Sequence, residues 1–425
     1  MFDAGIVGGL ARLCGVAAIT LTTGGPVGAY AEPALSVLAT SLLTQQARMG
    51  SPGPIADTCG EPEGGQASGG TPIFPRGEYP VRLPDVSMLG ARNDLPNPYR
   101  GGVHWGDLPD GRVWGSVVGI DIGPDGTLWA VERCGAFGFG GNPCLDNPVD
   151  PVLHFDQSGR FLSGFGAGMI VTPHKVEVDD DGFVWVTDVG RAQGKGQTVL
   201  KFSPTGELLM TLGTPGVAGS APGQFEQPSD VTVAPTGDVY VTDGHRGGGA
   251  AVGNARIQKF DRDGGFITAW GRKGMGPGEF DMPHAIDLDS QGRVFVADRQ
   301  NNRVQVFDAS GNFEAVWYQF GRPSALYIDE NDVLYVADSE SRDGRTNTGR
   351  GTLPSSGYGF NPGSRRGIRI GSARDGSVDS FVPDPCPYPY PDVSSMTEGI
   401  TVDADGNIYG SEYLGTVRKY VRGRD

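Results

Sequence analysis

Apolar and polar residues alternate in short runs along most of this chain, and the runs come in pairs joined by a tight turn. Val176 and Val178 alternate with polar residues before the turn at Gly182. Val184 and Val186 resume the alternation after it. A period of two residues on both sides of a glycine turn predicts an antiparallel β-hairpin. Hairpins, rather than helices, are therefore the expected building unit.

The same hairpin recurs five more times along the sequence. Aligned on the turn, the six copies centre on Gly126, Gly182, Gly237, Gly292, Asp332 and Gly406. Most copies follow one another at intervals of roughly 55 residues, and a four-stranded propeller blade has a period of about this size. A second, outer hairpin with its own turn follows the inner one in the middle copies, as at Phe202 to Gly206. We therefore predict an all-β fold, a six-bladed β-propeller.

Composition supports a fold of short strands, and the net charge excludes some classes of binding partner. The chain has 70 Gly and 32 Pro among 425 residues, and these fall between the alternating runs. Such a distribution indicates many turns rather than disorder. The net charge of −16 argues against nucleic acid and against an anionic membrane surface as partners. The expected partner is a small-molecule or peptide-derived substrate, and the oligomeric state stays open.

Residues 1–31 have the pattern of a secretory signal peptide. An apolar run from Leu13 to Leu21 follows Arg12, and Ala29 to Ala31 form an A-x-A cleavage pattern. A frayed terminus with a chance apolar run is the alternative. The expected location is secreted or periplasmic.

Two further segments follow the predicted signal peptide. Residues 32–72 are expected to form an N-terminal arm and linker, with a candidate helix from Glu32 to Met49. Residues 73–425 are expected to form the propeller. The Pro-rich stretch 72–112 would pack on the propeller and donate a strand that closes it.

The cysteines agree with export. Cys14 would leave with the signal peptide, and four cysteines would remain, with three alternative pairings. Cys134 and Cys144 lie close together in one Gly-rich loop, so this pair is favoured. Cys59 and Cys386 would then form a second disulfide between the N-terminal arm and the last blade.

One column of the repeat is acidic in every copy. Six residues after each turn position stand Glu132, Asp188, Asp243, Asp298, Asp338 and Glu412. Because every copy keeps the carboxylate, a structural role is expected, in which it accepts hydrogen bonds from backbone N–H groups at a blade corner.

Another column predicts a metal site. Eight residues before each turn position stand Val118, His174, Ser229, His284, Ser324 and Glu398. The innermost strand of each blade lines the central channel, so equivalent positions form a ring. His174, His284 and Glu398 occupy alternate copies and would converge on one divalent metal, most readily zinc, with iron or manganese as alternatives. The competing interpretation is channel-lining histidines hydrogen-bonded to water.

Charged and aromatic residues are expected at the mouth of the channel, next to this ring. Arg133 and Arg299 share one column and could clamp a carboxylate or stabilise an oxyanion. His245 could serve as a general base near neutral pH. Tyr413, in the same column as the arginines, and Met396 are assigned to substrate binding. Structural salt bridges are the alternative role for the arginines.

Several of these segments resemble a known family. The repeats are similar to NHL repeats, and Pro173-His174, Trp185 to Asp188, Met282 to His284 and Ala297 to Phe307 resemble the peptidyl-α-hydroxyglycine α-amidating lyases, which are six-bladed propellers. The resemblance covers roughly residues 118–420. It implies a zinc site in which His174 and His284 match two of the family's three histidines. It also implies that Arg133 and Arg299 match the family's catalytic arginines.

The chain departs from that family at three positions. The third zinc-binding histidine corresponds to Glu398, and the catalytic tyrosine corresponds to His245. The aspartate that serves a structural calcium corresponds to Gly399, which leaves only backbone carbonyls near Ile120 and Val176 and makes calcium doubtful. The changed base indicates a changed substrate.

The sequence therefore predicts a secreted metal-dependent lyase that resembles the amidating lyases and breaks a C–N or C–O bond next to a metal-bound hydroxyl. A metal-dependent hydrolase of the lactonase type is the second enzyme hypothesis. A non-catalytic propeller that serves as a binding scaffold is the third.

Overall fold

Strands dominate the computed structural model, which describes residues 90–109, 111–137, 141–245, 253–341, 359, 361, 363–385, 397–413 and 415–423. Within these ranges the only helical element is a short 3-10 turn at Arg299–Asn301. None of these residues belongs to a helix long and apolar enough to cross a membrane. The predicted signal peptide 1–31, the arm and linker 32–72 and its candidate helix lie outside the described residues and stay predictions.

Twenty-four strands form six four-stranded antiparallel sheets, so the predicted six-bladed propeller is confirmed. The first blade contains β2 (Val117–Ile122), β3 (Leu128–Glu132), β4 (Val152–Phe155) and β5 (Phe161–Phe165). The second contains β6 (Pro173–Val178), β7 (Val184–Ala192), β8 (Lys195–Phe202) and β9 (Leu208–Leu212). The third contains β10 (Pro228–Val233), β11 (Val239–Asp243), β12 (Arg256–Phe260) and β13 (Phe266–Trp270). The fourth and fifth blades contain β14 (Pro283–Leu288), β15 (Val294–Asp298), β16 (Arg303–Phe307) and β17 (Phe313–Trp317); and β18 (Pro323–Ile328), β19 (Val333–Asp338), β20 (Gly367–Ser372) and β21 (Val378–Pro383).

The sixth blade joins the two ends of the propeller. It contains β22 (Thr397–Val402), β23 (Ile408–Glu412), β24 (Thr416–Arg422) and, as its outermost strand, β1 (Tyr99–Trp105). Strand β1 pairs antiparallel with β24, from Tyr99 opposite Arg422 to Trp105 opposite Val417. The closing strand expected from 72–112 is therefore present. This pairing ties the first described strand to the last by main-chain hydrogen bonds and covers the outer side of β24.

Apolar side chains fill the space between neighbouring blades. Trp185 of the second blade packs in one cluster with Val231, Val241 and Phe260 of the third. The residue that ends the third strand of a blade is a fully buried phenylalanine in several blades, as at Phe202. Burial of an aromatic side chain stabilises the fold by about 1.5–3 kcal/mol relative to exposure. The period-two pattern of the sequence thus places one face of each sheet against the next blade.

The acidic column has the predicted structural role. Asp188 is fully buried, and its carboxylate accepts hydrogen bonds from the backbone N–H groups of Val171, Thr172 and Gly190 at 2.8, 2.8 and 3.0 Å. Backbone N–H groups are also capped by Glu132, Asp243, Asp298 and Asp338. In the last copy, Glu412 accepts a hydrogen bond from Arg418 Nε at 2.6 Å. In the first five copies these contacts hold the backbone just before the inner strand, whereas the contact of Glu412 is to a side chain of β24.

Each inner strand has a β-bulge close to the column that was expected to line the channel. In the second blade, Pro173 pairs with Asp188 but the next paired residue is Val176, opposite Val186. The other five blades shift register between the residues seven and nine positions before the turn. A bulge bends the strand and re-aims the side chain that it leaves unpaired. Repeated six times, it brings this column together around the axis.

Candidate metal centre

His174 and His284 lie on equivalent inner strands, and each is oriented by the next blade. The Nδ1 atom of His174 lies 2.6 Å from the backbone oxygen of Ser229, and Nδ1 of His284 lies 2.6 Å from that of Ser324. A carbonyl oxygen only accepts, so both Nδ1 atoms carry the proton and donate it. The lone pair of each ring is therefore on Nε2. Metal-binding histidines are held in this way, with the second nitrogen bonded to a carbonyl or carboxylate.

His245 supplies a third imidazole from a different part of its blade. It follows the end of β11 after Gly244, and its backbone N–H donates to the oxygen of Gln227 at 3.0 Å. Gly244 has φ +136°, and a Cβ there would lie 1.9 Å from the backbone oxygen of Asn254. Only glycine fits this close approach, so Gly244 is what permits the chain to turn His245 toward the axis.

The three histidines form one compact group. Nε2 of His245 lies 3.2 Å from Nε2 of His284, and candidate ligand atoms of His174, His245 and His284 lie within 4.8 Å of one another. No other group of three or more His, Cys, Asp or Glu residues in the described chain comes together this closely. Three imidazoles that leave further positions open are the donor set of catalytic zinc sites. The residues present therefore fit a divalent metal.

Glu398 lies beside this group. Its Oε2 atom is 3.7 Å from Nε2 of His284 and 3.6 Å from Nη1 of Arg299, and its Oε1 accepts a hydrogen bond from Ser339 Oγ at 3.2 Å. The equivalence of the column correctly places Glu398 in the ring. The compact trio nevertheless contains His245 in the place expected for Glu398, whose role as a ligand stays a prediction.

Arg299 lies in the wall next to Glu398. It follows β15 directly and is buried, with Nη1 3.7 Å from Oε1 of Glu340 and Nη2 2.8 Å from the sulfur of Met282. Arg322 also binds Glu340, with Nε 3.0 Å from Oε2. Arg299 is thus held between two carboxylates, which fixes its guanidinium close to the histidines.

Arg133 reaches the site from the first blade. It is buried, and its guanidinium carbon lies 5.6 Å from the centre of the Tyr413 ring, which is also buried. A cation over an aromatic face is stabilised by the ring quadrupole. The structure therefore makes Tyr413 a neighbour of Arg133. Met396, the other residue assigned to substrate binding, lies outside the described residues.

The loop after Arg133 is covalently fixed. Cys134 and Cys144 form a disulfide with a Cα–Cα distance of 5.3 Å, which confirms the favoured pair. The carboxylate of Glu132 accepts a hydrogen bond from the backbone N–H of Gly135 at 2.8 Å. Both contacts restrict the backbone on either side of Arg133. Cys59 and Cys386 lie outside the described residues, so their pairing stays a prediction.

Burial and nearby cations keep the histidines neutral. Desolvation lowers the pKa of His174, His245 and His284 well below the usual value for histidine. Positive charge adds to this effect, and for His245 and His284 the guanidinium of Arg299 is the next largest cause. Neutral imidazole is the form that binds metals, since a ligand must have a free lone pair. Protons should therefore compete poorly for this site at neutral pH.

Sequence comparison identifies the repeat. Residues 280–307, which contain His284 and Arg299, match the NHL repeat family. This chain is a six-bladed β-propeller whose fourth blade contains an NHL repeat. The match covers the whole inner hairpin and the third strand of the fourth blade.

The curated relatives of this chain include a protein named for its NHL repeats and proteins named as amidating enzymes. This chain is 39% identical over 201 residues to the human NHL repeat-containing protein 3, covering 44% of this chain and 55% of that protein. It is 32% identical over 209 residues to a probable peptidyl-α-hydroxyglycine α-amidating lyase of Caenorhabditis elegans, covering 46% of this chain and 56% of that one.

A third relative is the peptidyl-glycine α-amidating monooxygenase A of Xenopus laevis, which is 31% identical over 284 residues, or 64% of this chain and 26% of that protein. This chain thus spans about half the length of the human and nematode relatives, and about a quarter of the frog protein. The predicted resemblance to the amidating lyases is confirmed at the level of sequence.

Proposed function

We propose that this propeller is a metal-dependent lyase that breaks a C–N or C–O bond on a carbon bearing a hydroxyl group. The observation that carries the proposal is the group of three imidazoles, with the Nδ1 protons of His174 and His284 fixed by backbone carbonyls and two buried arginines nearby. Relatives named as amidating lyases support an enzyme of this class.

In this proposal His174, His245 and His284 hold the metal, most readily zinc. A bound divalent metal would supply a Lewis acid that lowers the pKa of a substrate hydroxyl. This assignment makes His245 a ligand, whereas the sequence alone had assigned it as the base. The reason for the change is that candidate ligand atoms of all three histidines lie within 4.8 Å of one another.

Glu398 is then the residue placed to move the proton. Its carboxylate is fixed by Ser339 and lies 3.7 Å from Nε2 of His284, at the edge of the imidazole group. It would accept the proton of the substrate hydroxyl while the oxygen forms a carbonyl and the bond to the leaving nitrogen or oxygen breaks. The same carboxylic acid would return the proton to the leaving group, so that one aldehyde or keto product and one neutral amide or alcohol result.

Arg133 and Arg299 would hold the anionic part of the substrate. Both are buried near the histidines, where a guanidinium binds a carboxylate strongly because little water screens the pair. Arg299 is already positioned by Glu340 and Met282, so little side-chain freedom would be lost on binding.

Location outside the cytoplasm is also proposed. The disulfide between Cys134 and Cys144 supports an oxidising compartment, because such bonds are rare where thiols are kept reduced. It agrees with the signal-peptide pattern of residues 1–31.

The test measures metal content and turnover of an N-acyl-α-hydroxyglycine, with release of glyoxylate as the readout. His174→Ala, His245→Ala and His284→Ala should each lose most of the metal and most of the activity. Glu398→Gln should keep the metal and lose turnover, and Arg299→Ala should keep the metal and raise KM. His154→Ala is the matched control, because His154 stacks on Trp129 away from this group.

Two outcomes would change the proposal. If Glu398→Gln loses the metal while His245→Ala keeps it, Glu398 is the third ligand and His245 the base, as the sequence alone indicated. If the wild-type protein binds no metal, or the His174 and His284 variants bind as much as the wild type, the propeller is better explained as a binding scaffold.

A further inference from the structure

A cavity in the central channel is lined by four carboxylates. It has a volume of about 30 Å³ and is bordered by Asp121, Glu177, Asp230 and Asp287, together with Lys175 and apolar residues of the inner strands. A space of this size holds one or two waters or a bare ion. The four carboxylates come from four consecutive blades, the first to the fourth.

Each carboxylate bonds to a neighbouring inner strand. Asp121 accepts from the backbone N–H of Val178 at 2.7 Å, and Asp287 from that of Ile328 at 2.7 Å. Asp230 accepts from the backbone N–H of Ile286 at 3.1 Å, and Glu177 from the hydroxyl of Thr232 at 3.2 Å. These acids therefore connect successive blades around the axis, and their negative charge is concentrated in one buried space.

Lys175 is the lysine that borders this cavity. The side chain is buried, and Nζ has no hydrogen-bond partner among the residues that the structure describes. It lies in the bulge of β6, directly after His174. A buried ammonium without a hydrogen bond is costly unless opposite charge surrounds it.

Four of the other five blades have only glycine or alanine at the level of Lys175, and the two glycines leave no room for a side chain. The equivalent residues are Gly119, Asp230, Ala285, Ala325 and Gly399. A Cβ on Gly119 would lie 2.8 Å from the backbone nitrogen of Val176, and a Cβ on Gly399 would lie 2.8 Å from Cα of Gly119. Lys175 and Asp230, on adjacent blades, are thus the two extended side chains at this level.

Burial and mutual repulsion disfavour the ionised form of these acids, and the positive charge of Lys175 opposes this effect. Burial, with added repulsion from Asp121 and Asp230, raises the pKa of Asp287 to about 8. The pKa of Asp230 is raised by burial to about 7, and the charge of Lys175 is the largest effect that opposes the rise. The charge of Lys175 therefore stabilises the ionised form of at least one of these carboxylates.

We propose that Lys175 is the internal counter-ion of this carboxylate ring and takes the place that a bound metal cation would otherwise have to take. The chain then closes its channel without calcium. Removing the ammonium should convert the cavity into a site that binds Ca²⁺, because carboxylate oxygens are the ligands that this ion prefers. The inference is independent of the proposed lyase activity.

The test compares the melting temperature of the full chain at pH 8 with and without added CaCl₂. Lys175→Met, which keeps the length of the side chain, should lower the Tm by about 5–10 °C, the shift expected when one partner of a buried ionic group is lost. Calcium should restore at least half of this loss and leave the wild type unchanged. Lys259→Met is the matched control, since Lys259 pairs with Asp238 on the third blade and should show no calcium response.

A second variant covers a failure of Lys175→Met to fold. Lys175→Met combined with Asp230→Asn removes one positive and one negative charge, so it should be more stable than Lys175→Met alone. A double variant no more stable than the single one would overturn the proposal. It would equally be overturned by a wild-type Tm that rises with calcium and loses this response in Asp230→Asn, since the cavity would then bind the ion beside Lys175.

Discussion

Asp188 offers the sharpest test of how the repeat holds its inner strands in place. The perturbation is Asp188→Ala, which removes a fully buried carboxylate that accepts three backbone N–H hydrogen bonds at 2.8, 2.8 and 3.0 Å. Two of the donors, Val171 and Thr172, immediately precede Pro173 and His174. The substitution leaves all three donors buried without this acceptor.

The magnitude follows from the number of donors. A buried donor left without an acceptor costs about 1–3 kcal/mol, so three of them would cost roughly 4–5 kcal/mol once some water enters the space. That is a large part of the total stability of a protein, which is about 5–15 kcal/mol. Asp188→Asn should cost less, about 1–2 kcal/mol, because the amide oxygen still accepts. Burial raises the pKa of Asp188, so its ionised form is already disfavoured in the fold.

Urea denaturation followed by tryptophan fluorescence gives the free energy of unfolding of each variant. Asp156→Ala is the matched control, since Asp156 also accepts two backbone hydrogen bonds, from Ser158 and Arg160, but in a turn at the surface where water can replace it. The control should change stability far less than Asp188→Ala. Metal content should also fall in Asp188→Ala and not in Asp156→Ala, because Asp188 holds the backbone of the two residues that precede Pro173 and His174. Equal losses of stability in the two alanine variants would refute the argument that burial of the donors sets the cost.

Three further predictions follow from other parts of the fold. Cys144→Ser should lower the free energy of unfolding by about 2–3 kcal/mol in urea, because the bond to Cys134 closes a short loop; an unchanged urea midpoint would contradict this. The Tm of Asp287→Asn should rise relative to that of the wild type as the pH rises from 4 to 8. The folded wild type keeps the carboxyl proton of Asp287 up to a pKa of about 8, whereas the unfolded chain releases it near 3.8, so the wild type loses stability over this range. Parallel Tm curves of the two proteins across that pH range would contradict this prediction. Deletion of residues 1–106 should lower the Tm far more than deletion of residues 1–89, because only the longer deletion removes β1 from the sixth blade. Light scattering should be measured alongside, since the exposed edge of β24 could pair with another molecule. Equal shifts in Tm would show that pairing of β1 with β24 is not required for stability.

The repeat made much of this architecture predictable. Each copy has the same alternation of apolar and polar residues, the same turn and the same acidic residue after it. The number of blades and the equivalent residues can therefore be predicted from the sequence. Rotation about the propeller axis then converts equivalence in sequence into a ring in space. This is why the buried cap at Asp188 and the meeting of His174 with His284 follow from spacing alone.

The third imidazole could not be predicted in the same way. His245 belongs to another column, and its approach to the axis depends on the left-handed backbone of Gly244 against Asn254, which no periodicity encodes. The signal that could have found it is the pair Gly244-His245 directly after a corner aspartate, where a glycine permits a sharp change of chain direction. Glu398 was placed correctly in the ring, but its carboxylate turns to Arg299 and Ser339 as well as to His284.

The sequence by itself determined the propeller, its six blades, its acidic corners and the pairing of Cys134 with Cys144, because these depend on local period, turn chemistry and short separation. The tertiary structure alone decided which side chains from different columns of the repeat come together near the axis. Lys175 lines one cavity with Asp287, and His245 contacts His284, across different columns and different blades. Such contacts depend on distances and charges between residues that are far apart in the sequence. The spacing of residues within a repeat does not specify these distances.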